Sequence, residues 1–164
     1  MARPGPIVIG FDGSDAAEQA IREAGALLAG RPAVVIVVWK AGLGFELLAL
    51  PSTTVGLPPT AIDINAALET DRALYEHAER LAAKGAGLAR DAGFDAEGLV
   101  IADEPDVPIA ETLTRTAYER DAAALVLGSH GHGPIASVFL GSTTQGVLRH
   151  ATVPVVVVRY GAQE

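Results

Sequence analysis

Ala122-Ala123-Ala124-Leu125-Val126-Leu127-Gly128-Ser129-His130-Gly131-His132-Gly133-Pro134, continued after residues 135–140 by Gly141-Ser142-Thr143-Thr144, is the stretch that decides how this chain folds. A short apolar run enters a glycine-bearing loop, and the loop leaves into a segment that opens with hydroxyl residues. Strand, turn and capped helix in that order are the repeating step of a parallel α/β sheet. Ser142 and Gln145 stand at the spacing of a capping box, which predicts a short helix to about His150. Glycine admits positive φ and carries no Cβ, so an anion can approach main-chain N–H groups closely here. The stretch therefore also carries the first functional expectation. Phosphate would be held by free amides and by the hydroxyls of Ser142, Thr143 and Thr144.

Upstream, the same alternation recurs. Residues 6–11 read as a buried strand, Asp12-Gly13-Ser14 as the turn out of it, and Asp15 with Glu18 as a capping box. Ala17, Ala20, Ile21, Ala24, Leu27 and Leu28 form one helical face, ended by Gly30 and Pro32. Residues 33–39 are a second, β-branched strand. Residues 41–64, with Pro51 and Pro58-Pro59 and no sustained period, read as a long surface excursion. A long helix follows over residues 65–92, with Leu68, Leu74, Ala78, Leu81 and Leu88 near one face. Residues 98–102 make a weaker third strand. Pro108 suits a helix start that places Ile109, Leu113 and Ala117 together, and residues 122–127 and 155–159 are the fourth and fifth strands. The fold class is α/β: a single doubly wound domain over residues 1–164, a parallel sheet with helices on both faces. Strand order does not follow from these local signals.

Composition narrows the function. A formal net charge of −8, with lysine only at Lys40 and Lys84, argues against nucleic acid and against an anionic membrane surface as partners. With no cysteine, disulfides, thiolate catalysis and cysteine-based zinc sites are excluded. Residues 1–6 lack the apolar core of a secretory signal, and residues 33–39 are too short to span a bilayer, so the expected location is cytoplasmic.

In open α/β sheets ligands bind outside the carboxyl ends of the strands, where the winding reverses. Asp12 and Gly128 both follow strand ends. Asp12 either closes an Asx turn with Gly13 and Ser14 or accepts hydrogen bonds from a ribose or reaches a phosphate-bound metal. The glycine loop is not a common nucleotide fingerprint: G-x-x-x-x-G-K-[ST] is absent, and no G-x-G-x-x-G follows the first strand. His130 and His132 read as solvated loop histidines that could turn positive charge toward phosphate, not as a metal pair. Asp103, Glu104 and Asp106 read as a solvated acidic loop, and Trp39 as packing or as a flank for adenine. No nucleophile elbow supports covalent catalysis.

The motif Gly128-x2-Gly131-x9-Gly141-Ser142, followed by Val147-Leu148-Arg149-His150-Ala151 and Val153-Pro154-Val155, resembles the universal stress protein family. So does Ile7-Val8-Ile9-Gly10-Phe11-Asp12-Gly13-Ser14 at the start. The resemblance implies a Rossmann-like sheet of five parallel strands in the order 3-2-1-4-5, and membership of the subgroup that binds ATP, alone or with a magnesium or manganese ion. By position it implies Asp12 at the ribose or adenosine, Val38 at the adenine, and Gly128, His130 and Gly131 along ribose and phosphates. Gly141, Ser142, Thr143 and Thr144 would hold the phosphate end, and Gly10 belongs to the same strand-end site. It further implies a homodimer through residues 155–159. His132 stands where many relatives carry Arg or Lys, and Gly10 where some carry proline. The expected role is regulatory nucleotide binding in stress physiology with little or no hydrolysis. An adenylating or ATP-hydrolysing enzyme and a nucleotide-free structural dimer are the alternatives.

Overall fold

The computed structural model describes residues 5–49, 61–130 and 140–160. The continuous aliphatic runs become β1 (Ile7–Gly10), β2 (Pro32–Trp39), β4 (Ala124–Gly128) and β5 (Val155–Val158), because strands covered on both faces need no polar alternation. β3 (Asp95–Ala102) completes a five-stranded sheet in the order β3-β2-β1-β4-β5. All four pairings are parallel. The family resemblance implies this order, and it makes β1 and β4 neighbours, with Ile9 beside Val126.

Helices α1 (Asp15–Leu28) and α3 (Ala61–Asp91) cover one face; α4 (Ile109–Glu119) and α5 (Ser142–His150) cover the other. Side chains alternate across the sheet accordingly. Ile7, Ile9, Phe11, Val35 and Val37 point toward α1 and α3. Val8, Val34, Ile36, Leu125 and Leu127 point toward α4 and α5. Two aliphatic cores result, one on each side of the sheet.

Several local expectations need correction. Within 41–64, the described part is helical: α2 runs Leu43–Ala49, and α3 begins at Ala61, not at Asn65. A tertiary contact supports α2, since the Gly44 N–H donates to Asp71 Oδ1 at 2.8 Å. Pro51 and Pro58-Pro59 lie outside the described residues. β3 starts three residues before Gly98 and pairs with β2 along its whole length. Ser14, not Asp15 with Glu18, caps α1: its Oγ accepts from the Ala17 N–H at 3.2 Å. Glu18 instead meets Lys84 and Arg22. Leu27 and Leu68 face solvent.

Candidate functional site

β1 and β4 end side by side where the winding direction reverses, the position at which open α/β sheets bind ligands at their carboxyl edge. Around it stand the turn at Asp12, the end of β2 at Val38, and the start of α5. With neighbouring strands about 4.8 Å apart, the ends of β2 and β4 lie roughly 10 Å from each other across β1.

Asp12 is exposed and closes the Asx turn that its neighbours suggest. Its Oδ1 accepts from the Ser14 N–H at 3.0 Å and from Ser14 Oγ at 2.6 Å, while Gly13 takes a φ of 80°. Val38 is half-buried and points to the α4–α5 side of the sheet. Trp39 points the other way, edge-on to Tyr75 with ring centroids 5.1 Å apart. Its Nε1 is buried and finds no hydrogen-bond partner among the described residues. Gly10 is a packing residue: a Cβ there would stand 2.5 Å from Leu127 Cδ2 and 3.3 Å from Leu113 Cδ1.

The described ends of the stretch from β4 to α5 are tied into the chain more tightly than the sequence suggests. The Ser129 N–H donates to the Val158 carbonyl at 2.8 Å, and the Gly141 N–H donates to the Ser129 carbonyl at 2.8 Å. Both amides are therefore occupied, contrary to the expectation of free amides along the whole stretch. Gly128 is pressed on α1, where a Cβ would come within 2.9 Å of the Ala16 carbonyl oxygen. Thr144 is buried, and its Oγ1 donates to the Gly128 carbonyl at 2.9 Å. His130 is half-buried, with Nδ1 3.0 Å from Ser129 Oγ and its ring edge-on to Tyr160. Gly131 and His132 lie outside the described residues.

At the head of α5 the amides are placed differently. The first helical bond runs from the Gln145 N–H to the Gly141 carbonyl at 2.9 Å. The N–H groups of Ser142, Thr143 and Thr144 precede it, and among the described residues none has a partner. Gly141 is the N-cap and offers no side chain. This corrects the capping-box reading, because Gln145 Nε2 turns outward to the Leu140 carbonyl at 2.6 Å. Three donors without partners among the described residues, at the positive end of a helix, suit an anion by charge and by hydrogen bonding. Ser142 is exposed and Thr143 half-buried, so both are within reach of solvent.

A cleft of about 570 Å³ opens between the starts of α4 and α5, lined among others by Pro108, Ile109, Glu111, Ser142, Thr143 and His150. It is not lined by Asp12, Val38 or Gly128. Ser142 and Thr143 thus stand on its wall, next to Thr144, whose hydroxyl reaches the end of β4 at Gly128. Glu111 and His150 enter this neighbourhood without a sequence signal. Asp103 and Glu104 are engaged elsewhere, with the Ala41 N–H at 3.1 Å and with Arg115 respectively. Among the described residues no helix is long and apolar enough to cross a membrane.

Residues 43–159 match the model of the universal stress protein family. Universal stress protein Rv2005c of Mycobacterium tuberculosis is 31% identical over 161 residues, covering 94% of this chain and 45% of that protein. The chain thus spans about half the length of this curated relative. Among solved structures, universal stress protein UspA from Lactobacillus plantarum superposes with a TM-score of 0.68 at 21% identity, covering 97% of this chain and 100% of the other. The universal stress protein of Archaeoglobus fulgidus in complex with dAMP gives 0.59 at 23% identity, covering 96% and 98%.

Proposed function

The chain belongs to the universal stress protein family, and on that premise we propose that it binds ATP and acts as a regulatory module in stress physiology, with little or no hydrolysis. The observation that carries this reading is the set of N–H groups on Ser142, Thr143 and Thr144, without partners among the described residues, beside the switch point of the sheet. Such donors complement a phosphate without any lysine. The dAMP complex of the Archaeoglobus fulgidus relative supports an adenine nucleotide as the ligand class.

In this reading Val38 meets the adenine, and Asp12 meets the ribose through a carboxylate already shared with Ser14. Gly128, His130 and Gly131 border ribose and phosphates. Gly141 ends the site without a side chain, and Ser142 and Thr143 offer hydroxyls as well as amides. Thr144 contributes its N–H only, because its hydroxyl hydrogen goes to Gly128. Gly10 supports the strand end from beneath. A magnesium or manganese ion would accompany the phosphates and offset their charge.

Residues 1–164 act as one nucleotide-binding domain of a cytoplasmic protein. It pairs with a second copy through β5, the sheet edge, where Val155–Val158 are all half-buried. An uncovered aliphatic edge favours such pairing. Fast phosphoryl transfer draws on positioned cations and a base that this motif lacks. Turnover of about 1 s⁻¹ or faster would contradict the regulatory reading. The occupied amides of Ser129 and Gly141 favour a second reading, a structural dimer without nucleotide.

Calorimetric titration decides between the two. ATP should give saturable heat, and Gly141→Val should abolish it while the fold survives, since the Gly141 φ of −59° and ψ of 154° suit valine. Cyclic AMP, which lacks the phosphate tail, should bind at least about tenfold more weakly, a difference of roughly 1.4 kcal/mol. No heat with ATP would favour the nucleotide-free dimer, and unchanged affinity in the variant would place the nucleotide away from Gly141.

A further inference from the structure

Much of α3 has no sheet beneath it. Its 31 residues extend about 46 Å at the helical rise, whereas the eight residues of β3 cover about 26 Å. Its C-terminal half packs on the sheet: Ala78, Ala82 and Ala89 are buried there, and Gly85 lies against Val35 and Phe11. Tyr75 meets Trp39, the last residue of β2, and marks the level at which the sheet ends. Leu68 and Ile64 continue the Tyr75 stripe toward the N-terminus, roughly 10 and 16 Å further along the helix. α2 lies against this overhang, with Gly44 so close that a Cβ would stand 2.3 Å from the Ala67 carbonyl oxygen.

The result is an apolar face beyond the sheet edge. Phe45, Leu47, Ile64, Leu68 and Tyr75 are 40% to 53% exposed, and all five belong to α2 or the first half of α3. Exposed apolar side chains carried by two helices in contact mark an interaction surface. The surrounding charge is net negative. Residues 40–80 hold six carboxylates, at Glu46, Asp63, Glu69, Asp71, Glu76 and Glu79, against Lys40, Arg72 and Arg80. Arg72 pairs with Glu76 at 3.0 Å and Lys40 with Glu46 at 3.1 Å.

We propose that the α2–α3 overhang is a docking surface for a basic amphipathic helix of a partner protein. An apolar stripe in the partner would lie on Phe45, Leu68 and Tyr75, and its Lys or Arg residues would meet the acidic rim. The charge selects this occupant. Facing a second copy across a two-fold axis would set carboxylates against carboxylates, and nucleic acid or an anionic bilayer would be repelled for the same reason. The proposal is independent of nucleotide binding.

The test uses the full chain and two labelled synthetic peptides of about 18 residues, five helical turns each. Both carry the same leucine stripe; one has lysine and the other glutamate on its polar face. By fluorescence anisotropy the lysine peptide should bind saturably and weaken with added salt, and the glutamate peptide should not bind. Phe45→Ser combined with Leu68→Ser should weaken the lysine peptide at least about tenfold, the scale of losing central apolar anchors. Tyr118→Ser should leave its affinity unchanged. Both replaced side chains are exposed, so a thermal melt close to that of the parent should accompany the loss. Equal binding of the two peptides, no binding of the lysine peptide, or full affinity in the double variant would overturn the proposal. So would a smaller sedimenting species on Ile64→Glu, which would assign the face to a second copy.

Discussion

Replacing Gly128 with alanine separates a packing glycine from one that only faces a ligand. A Cβ at this position would stand 2.9 Å from the Ala16 carbonyl oxygen, 3.0 Å from its carbonyl carbon and 3.3 Å from Ala16 Cβ. Two of these atoms are main chain in the first turn of α1, so a side-chain rotation cannot relieve the contact. Overpacking of this kind costs about 1–3 kcal/mol. Gly128 is not among the residues with positive φ, so alanine adds no backbone strain. Its narrower unfolded ensemble offsets about 0.4–1 kcal/mol. The net expectation is a loss of about 1–2 kcal/mol, hence a Tm lower by about 2–8 °C for a chain of this size. The assay is thermal unfolding followed by circular dichroism on protein stripped of nucleotide. A Tm equal to or above that of the parent would refute the packing argument. An effect seen only in ATP affinity would then place the glycine at the ligand instead.

Thr144→Val keeps the shape of a buried side chain but removes the hydrogen bond to the Gly128 carbonyl. It should cost about 1–2 kcal/mol in urea unfolding, with Thr144→Ser recovering most of it; an unchanged midpoint would contradict the tie between β4 and α5. The Glu18 carboxyl is held below its usual value of 4.5, first by the hydrogen bond from Lys84 and then by the positive charge of Lys84 and Arg22, against the opposing effect of burial. A depressed carboxyl stabilises the fold above its unfolded pKa, and that contribution is lost as pH falls through the lower folded value. Lys84→Met should therefore flatten the fall in Tm below about pH 4.5, with an effect near neutral pH of at most about 1 kcal/mol. Identical pH profiles for parent and variant would count against the pair.

Where local chemistry determines structure, the chain is legible. The aliphatic runs at Ile7, Ala33, Leu125 and Val155 lie in strands, and Ser142 to His150 is a helix with the expected ends. α2 was not legible, because seven residues containing Gly44 carry little helical signal. Their placement depends on Asp71 and Ala67, more than twenty residues away. β3 looked short because it is an edge strand with four exposed residues, so its first half has no apolar pattern to read. The strand order came from the family resemblance, since no local signal distinguishes which strands become neighbours. At the candidate site the glycines and hydroxyls were visible, but the state of their amides was not. The Ser129 N–H meets Val158 only because β5 lies beside β4. The same motif could have left that amide free.

Amide NMR of the full chain titrated with ATP tests the central claim most directly. The Ser142, Thr143 and Thr144 resonances should shift together and saturate with one affinity, while the Ser129 and Gly141 amides, already bonded within the chain, should move less. Saturable binding that leaves those three resonances in place, or no binding at all, would contradict the account.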